Sequence, residues 1–112
     1  MSSSLGKRLT GLQKGDSVVV TIDGDQYAGE VIDKNRQKCD LVAGFMEDGY
    51  IEIDLQLDSE TVEKYGLTTQ HLVMGSTEEV PGDFEPPTAS IYDMSEKESI
   101  TSLGEIEGIT EA

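Results

Sequence analysis

Apolar and polar residues alternate along the first two thirds of the chain, which is the pattern of strands that bury one face. Residues 17–22 (SVVVTI) and residues 25–33 (DQYAGEVID) both alternate in this way, and the Asp23-Gly24 dipeptide between them favours a tight hairpin turn. Gly29 lies inside the second segment, where a glycine predicts the kind of bend that closes a small barrel. The pattern therefore predicts a bent β-hairpin.

The same alternation predicts three further strands. They cover residues 39–46, 50–58 and 67–74, and a short helix over residues 59–66 precedes the last of them. Together with the first hairpin, these elements predict an all-β domain over residues 15–74. We expect a small five-stranded antiparallel barrel of the Sm-like or Src-homology-3-like type.

Both flanks of this predicted barrel differ from it in composition. Residues 1–14 carry three leucines at helical spacing among serines and glycines, which predicts an arm or a short helix. Residues 75–112 contain all three prolines, ten acidic residues and one lysine, and this composition predicts a disordered acidic tail. Four apolar residues recur every three positions in the tail and could form a partner-binding motif that orders on binding: Ile100, Leu103, Ile106 and Ile109. The alternative is a set of scattered apolar residues in a solvated tail.

The chain is strongly acidic. Its 112 residues include 23 Asp or Glu and 8 Lys or Arg, for a formal net charge of −15, and residues 1–45 are neutral with six charges of each sign. One explanation is an acidic tail that binds a partner, and another is a proteome adapted to high salt. The few lysines and many carboxylates favour the second, which predicts a halophilic archaeal source, although both can hold together. High salt also weakens phosphate contacts.

The sequence offers little for catalysis or metal binding. Cys39 and His71 are the only cysteine and histidine, which excludes an intramolecular disulfide and a four-cysteine metal site, and the two residues cannot by themselves supply a zinc site. The two could form a nucleophile and its base, but Cys39 alternates with Leu41 towards the apolar face, which favours a buried structural cysteine. No Gly-rich phosphate loop or serine elbow is present. We therefore expect no enzyme activity, no catalytic residues, no metal and no cofactor.

The sequence also lacks membrane signals. No apolar run approaches the roughly 20 residues of a membrane span, and residues 1–12 lack the apolar centre of a signal peptide. We expect a cytoplasmic protein with no membrane partner. A barrel this small lies near the lower size limit for a self-sufficient core, so oligomerisation would help it.

Residues 34–38 (KNRQK) form the one basic cluster of the chain and are predicted as a polar loop after the first hairpin. Three cations in five residues, with amides between them, can grip phosphates and reach a base edge. The candidate nucleic-acid-binding residues, for RNA or DNA, are Lys34, Asn35, Arg36 and Lys38. The alternative is a solvated loop that balances the local acids.

The spacing of Gly24, Tyr27, Gly29 and Val31 resembles the first motif of the Sm-like family. Other barrels of the Src-homology-3-like class, including Tudor modules, share this hairpin pattern. The resemblance covers residues 15–33 and implies a small antiparallel β-barrel. The second Sm motif, an Arg-Gly or Cys-Gly pair on a late strand, is absent, so the resemblance assigns no binding residue.

These observations lead to two hypotheses of function. The first is a non-enzymatic binding module that contacts nucleic acid or a nucleoprotein assembly through residues 34–38. The alternative is a protein-interaction adaptor that docks a protein partner through the barrel or through the acidic tail.

Overall fold

The computed structural model describes residues 4–93 and 98–111. These ranges form two helices, α1 (Ser4–Gly11) and α2 (Ser59–Lys64), and ten strands. The strands are β1 (Ser17–Ile22), β2 (Asp25–Gln37), β3 (Asp40–Val42), β4 (Phe45–Glu47), β5 (Gly49–Leu57), β6 (His71–Val80), β7 (Asp83–Phe84), β8 (Thr88–Asp93), β9 (Glu98–Glu105) and β10 (Gly108–Glu111).

Eight of these strands form one antiparallel sheet that curls into a half-barrel. The strand order is β10-β1-β2-β5-β6-β8-β9, and β7 pairs with β6 beside this path. β3 and β4 form a separate two-stranded ribbon. The predicted fold is therefore confirmed as mostly β, with a curled antiparallel sheet and a short helix. The described residues contain ten strands rather than the predicted five.

The core lies on the inner face of the curled sheet, where every second residue of a strand points. Burying one Val, Leu, Ile or Met side chain contributes about 1.5–3 kcal/mol, so this face holds the sheet in its curled form. The largest side chains that are almost wholly buried come from α1 and five strands: Leu9, Val18, Val20, Val31, Ile51, Ile53, Leu55, Leu57, Leu72, Met74 and Ile91.

The first hairpin has the predicted turn. Asp23 and Gly24 have φ angles of 51° and 83°, and two positive φ values in succession match the twist of the flanking strands. A β-bulge between Val31 and Asp33 bends the second strand just after Gly29. At Gly29 itself, an added Cβ would lie 2.7 Å from a backbone oxygen of β5, so a side chain there would separate the two strands.

The predicted basic loop over residues 34–38 is wrong, because β2 continues through it to Gln37. Beyond the bulge, Lys34 pairs with Ile53 and Arg36 pairs with Ile51, so both cations share the face of the core aliphatics. A segment of alternating cations lacks the apolar–polar alternation by which a strand is recognised in a sequence. Their long apolar stems can nonetheless cover a core while the charged ends find polar partners.

The predicted strand over residues 39–46 is also wrong, because the chain turns back within it. Ala43 and Gly44 have φ angles of 52° and 84° and connect β3 to β4 in a tight hairpin, which we call the distal ribbon (residues 40–47). Alanine rarely adopts a positive φ, so the apolar run looked continuous. A Cβ on Gly49 would overlap the backbone of Gln37 and Cys39, and glycine here lets the ribbon leave the main sheet.

The predicted disordered tail is wrong for residues 75–93 and 98–111. β6 crosses the predicted boundary, and β7 to β10 complete the sheet, while residues 94–97 and 112 lie outside the described residues. Pro81 lies in the turn after β6, and Pro86 and Pro87 lie between β7 and β8. None of the three prolines therefore interrupts a strand, which is where proline is costly.

The link between β9 and β10 brings the two ends of the sheet together. The backbone N–H of Ile106 donates to the carbonyl of Pro87 at 2.9 Å, and that of Glu107 donates to Thr21 at 2.8 Å. The Glu107 carboxylate also accepts a 2.9 Å hydrogen bond from the backbone N–H of Gly24. A residue of the predicted tail thus caps the turn of the first hairpin.

Of the two alternatives for residues 1–14, an arm or a short helix, the structure has the helix, α1; the predicted short helix within residues 59–66 is present as α2. Leu9 of α1 and Leu12, which directly follows α1, are buried in the core. Gly6 is buried against Phe84 of β7, and a Cβ at this glycine would overlap the phenylalanine side chain. Among the described residues, no helix is both long and apolar enough to cross a membrane.

This contact predicts opposite effects for the two glycines of α1. Gly6→Ala should lower the free energy of unfolding by about 1–3 kcal/mol, because the new methyl group overpacks against Phe84. Gly11→Ala is the matched control, since nothing lies within 4 Å of its Cβ position; it should leave stability unchanged or raise it by less than about 1 kcal/mol. Urea denaturation of both variants measures the difference, and equal effects would contradict the packing of α1 on β7.

The integration of β10 into the sheet can be tested in the same way. Ile109→Ala should lower the free energy of unfolding by about 2–5 kcal/mol, because the side chain is 5% exposed and packs in the core. Thr110→Ala, one position along on the exposed face, should change it by no more than about 0.5 kcal/mol. If Ile109→Ala has the same free energy of unfolding as wild type, this result would instead support the predicted disordered tail.

Candidate functional site

The predicted nucleic-acid-binding residues do not form one cluster. Lys34 and Arg36 lie on the inner face of β2, whereas Asn35 occupies an exposed position between them. Lys38 is exposed beyond the end of β2. The Nζ of Lys34 donates a 2.6 Å hydrogen bond to the carbonyl of Thr10, near the C-terminal end of α1, where a cation is favoured by the helix dipole.

Arg36 is held by four groups at once. Its guanidinium lies 3.0 Å from the carboxylate of Glu78 and donates to the carbonyls of Gln37 at 2.7 Å and Tyr50 at 3.1 Å. The same group lies 5.2 Å from the centre of the Phe84 ring, within range of a cation–π contact. These contacts engage both terminal nitrogens of the guanidinium, Nη1 and Nη2, which a phosphate would otherwise use.

Glu78 is the partner that fixes Arg36. It is 4% exposed, and its carboxylate also accepts hydrogen bonds from the backbone N–H groups of Cys39 at 3.0 Å and Gly82 at 2.8 Å. Burial alone would raise the pKa of Glu78, but these two bonds and Arg36 outweigh burial and hold the pKa below its usual value. The carboxylate therefore stays charged inside the fold.

The distal ribbon exposes apolar side chains. Phe45 is 77% exposed, Leu41 is 63% exposed and Met46 is 52% exposed. Leu41 and Met46 are direct cross-strand partners and share one face of the ribbon, whereas Phe45 belongs to the opposite face. A two-stranded ribbon cannot bury both of its faces by itself.

Carboxylates surround the exposed apolar residues. Asp40 and Glu47 pair across the ribbon, on the same face as Phe45 by strand alternation. Near its base, the Glu79 carboxyl shares a hydrogen bond with Glu85, and this bond raises the pKa of Glu79. Sequence reasoning missed this surface because it placed the apolar residues 39–46 in a buried strand.

A shallow groove lies next to the base of the ribbon, across β5, β6 and the segment before β8. It measures about 280 Å³ and is lined by Tyr50, Glu52 and Thr77 on one side and by Glu85 and Pro86 on the other. An aromatic ring and two carboxylates are groups that favour a cationic side chain.

The outer face of the sheet holds a half-buried pair, Asp54 and His71. Their nearest polar atoms, Oδ1 and Nδ1, are 3.7 Å apart, and neither makes a hydrogen bond within the described residues. Burial raises the pKa of the Asp54 carboxyl, and His71 acts in the opposite direction. Within residues 4–93 and 98–111, no group of three or more His, Cys, Asp or Glu side chains is placed to hold a metal ion.

The structure does not bring Cys39 and His71 together as a nucleophile and base. The Cys39 thiol donates to the carbonyl of Glu79, which lies eight positions along β6 from His71, or roughly 26 Å at the usual strand rise. Burial raises the pKa of Cys39, with the charge of Glu78 adding to the effect. Both factors disfavour the reactive thiolate.

The predicted partner-binding motif of the tail is not a free surface. Ile106 and Ile109 are 4% and 5% exposed and belong to the core, and Leu103 packs against it. The side chain of Ile100 lies outside the described residues. The three-residue spacing arises because β9, the link and β10 each contribute to the same core, which sequence periodicity alone does not distinguish from a helix face.

Comparisons with known proteins do not assign the chain to a family. No protein-family model, no curated protein and no solved structure matches it. The site itself is therefore the basis for the proposals that follow.

The Arg36–Glu78 pair predicts a loss of stability that depends on pH. At neutral pH, Glu78→Gln should lower the free energy of unfolding by about 1–3 kcal/mol, because it removes the charge that the buried hydrogen bonds satisfy. The folded-state pKa lies below the usual 4.5, so the carboxylate stabilises the fold above that pH. This contribution disappears as the pH falls from about 4.5 through the folded-state pKa.

The measurement is urea denaturation of wild type and variant between neutral and acidic pH. The gap in stability should narrow as the pH falls below about 4.5. Lys14→Gln is the control, because the Lys14–Asp33 pair is 3.8 Å apart with side chains 70% and 54% exposed; its effect should stay under about 0.5 kcal/mol. A gap that is independent of pH would show that the charge of Glu78 is not what matters.

Proposed function

We propose that this protein is a non-enzymatic protein-interaction module whose partner carries a basic surface. The observation that supports the proposal is the inward placement of Lys34 and Arg36. With these cations bound inside the fold, the charge of −15 is presented by a surface in which carboxylates predominate. Charge complementarity steers such a surface towards basic partners and away from phosphates.

The same placement makes residues 34–38 a poor phosphate-binding site. Releasing Arg36 to a nucleic acid would leave the carboxylate of Glu78 buried without its cation, which costs several kcal/mol. Releasing Lys34 would leave the carbonyl of Thr10 without that donor. The adaptor hypothesis therefore takes precedence over nucleic-acid binding through these residues.

Nucleic-acid binding remains a second candidate at a different place. Lys7 and Arg8 are exposed on α1, and the hydrogen bond from Lys34 to Thr10 sets a third cation beside the same helix. Lys14 follows shortly after the helix and is 70% exposed. This group could bind phosphates without disturbing the Arg36–Glu78 pair.

We also propose that the half-barrel belongs to the small-barrel class that includes Sm-like and Src-homology-3-like domains. The tight turn at Asp23-Gly24, the bent second strand and the helix packed on the sheet support this assignment. A cytoplasm of high ionic strength is the setting that we infer for it. Neighbouring carboxylates such as Glu79 and Glu85 repel one another less when salt screens them.

Binding to charged probes tests the proposal. The full chain is titrated by calorimetry with a synthetic amphipathic helix of leucine and lysine, with polyuridylate RNA and with a duplex DNA, at about 0.15 M salt and again in molar salt. We expect the peptide to bind at least about tenfold more tightly than either nucleic acid. Screening should weaken the peptide complex without abolishing it, because its apolar contacts persist.

A Lys7→Gln/Arg8→Gln variant separates the two candidates. It should bind the peptide as the wild type does, since neither cation attracts a basic partner. RNA or DNA that binds more tightly than the peptide, and is lost in this variant, would replace the proposal with nucleic-acid binding at α1. Absence of peptide binding under all conditions would reject a basic partner.

A further inference from the structure

We propose that the distal ribbon is the docking element of this protein, and that its partner presents an apolar surface edged by Lys or Arg side chains. The inference rests on the proposed function and specifies the site and the chemistry of the partner. Its starting point is the exposure of Leu41, Phe45 and Met46, which are among the most exposed large apolar side chains in the described residues. Clustered exposed apolar side chains of this kind mark interaction sites on soluble proteins.

The exposed residues contribute nothing to the core. Within residues 4–93 and 98–111, none of the three belongs to the buried cluster or packs against it, and the strands of the ribbon pair only with each other. Folding therefore does not account for an apolar residue on each face of this ribbon. A partner with an apolar surface would bury side chains that the fold leaves exposed to water.

The ribbon is held in place at its base. Cys39 donates its backbone N–H to Glu78, and the side-chain amide of Gln37 donates to the carbonyl of Asp48 at 3.0 Å. Gly49 allows the close crossing of the two chain segments. A binding element that is fixed before it meets its partner loses less conformational entropy on association.

Charge identifies the partner. Asp40 and Glu47 flank the apolar residues on the ribbon, and Glu79 and Glu85 lie near its base, so a matching surface carries cations around an apolar centre. A second copy of the chain would bring the same carboxylates together, which opposes self-association. Phosphate groups of nucleic acids and of anionic membranes would be repelled for the same reason.

The groove beside Tyr50 extends this surface. Tyr50 is 39% exposed and immediately follows the ribbon and Gly49, and Glu52 and Glu85 line the groove with it. A lysine or arginine at the edge of the partner could place its stem on the tyrosine and its charge between the carboxylates. Because Tyr50 follows the distal ribbon closely in the chain, one partner can contact both the ribbon and the groove.

The test compares variants of the full chain with two peptides. The probes are the leucine–lysine amphipathic helix and a serine–lysine peptide of equal charge and length. Wild type should bind the first at least about tenfold more tightly than the second. Phe45→Ser/Met46→Ser should remove that preference, and its amide spectrum and urea midpoint should match wild type because both side chains are exposed.

A second pair of variants tests the charge on the ribbon. Asp40→Asn/Glu47→Gln should weaken peptide binding several-fold, whereas the control Asp58→Asn/Glu60→Gln removes two exposed acids at the start of α2 and should have no such effect. Equal losses in both variants would mean that net charge alone attracts the peptide, and this would overturn the assignment to the ribbon.

The remaining outcomes separate this inference from the proposed function. Unchanged peptide binding by Phe45→Ser/Met46→Ser would reject the ribbon as the docking element, while the proposal of a basic partner would stand. No binding of either peptide by wild type would reject both. A concentration-dependent dimer of wild type that Phe45→Ser/Met46→Ser abolishes, measured by sedimentation, would make a second copy the occupant and overturn the inference.

Discussion

The buried carboxylate of Glu78 is the constraint on which the arrangement of β2, β6, β7 and the distal ribbon depends. A charge in this position must be paired, and its partners come from three separate places: Arg36 on β2, the backbone at Cys39 below the distal ribbon, and Gly82 in the turn after β6. The need to satisfy one side chain therefore sets the position of the ribbon relative to the sheet. It also keeps Phe84 under the guanidinium and so presents β7 to α1.

The pairing of Arg36 with Glu78 holds one cation and one carboxylate inside the fold. Lys34 and Arg36 lie on the inner face of β2, whereas Glu79, Glu85 and Glu111 lie at exposed positions. The protein's electrostatic character is thus a consequence of strand alternation as much as of composition. The apolar residues of the distal ribbon lie where this acidic surface is interrupted, and an apolar centre with a charged rim gives an interface both affinity and choice of partner.

Strands that obey simple alternation could be predicted from the sequence, and the others could not. Residues 17–22 and 49–57 have one apolar and one polar face, and the Asp23-Gly24 turn has known chemistry, so these elements are where the pattern places them. Lys34 and Arg36 break the rule because their charges are paired with groups that are distant in sequence. β7 to β10 were missed because they are short and follow a segment rich in prolines and acids, which resembles a disordered segment until the partner strands are known. The ribbon depends on Ala43 adopting a positive φ, which composition does not indicate.

The pairing of β1 with β10 has a consequence for how the chain assembles. Val18 of β1 lies opposite Glu111 of β10. β1 therefore obtains its second neighbouring strand only when β10 is in place. Contacts of such long sequence separation have a high entropic cost of loop closure and form late, which slows folding. Until then, β1 presents an open row of backbone donors and acceptors to other chains. At low ionic strength, the self-repulsion of this acidic polypeptide keeps unfolded copies apart during that interval, so the charge acts on the folding reaction as well as on recognition.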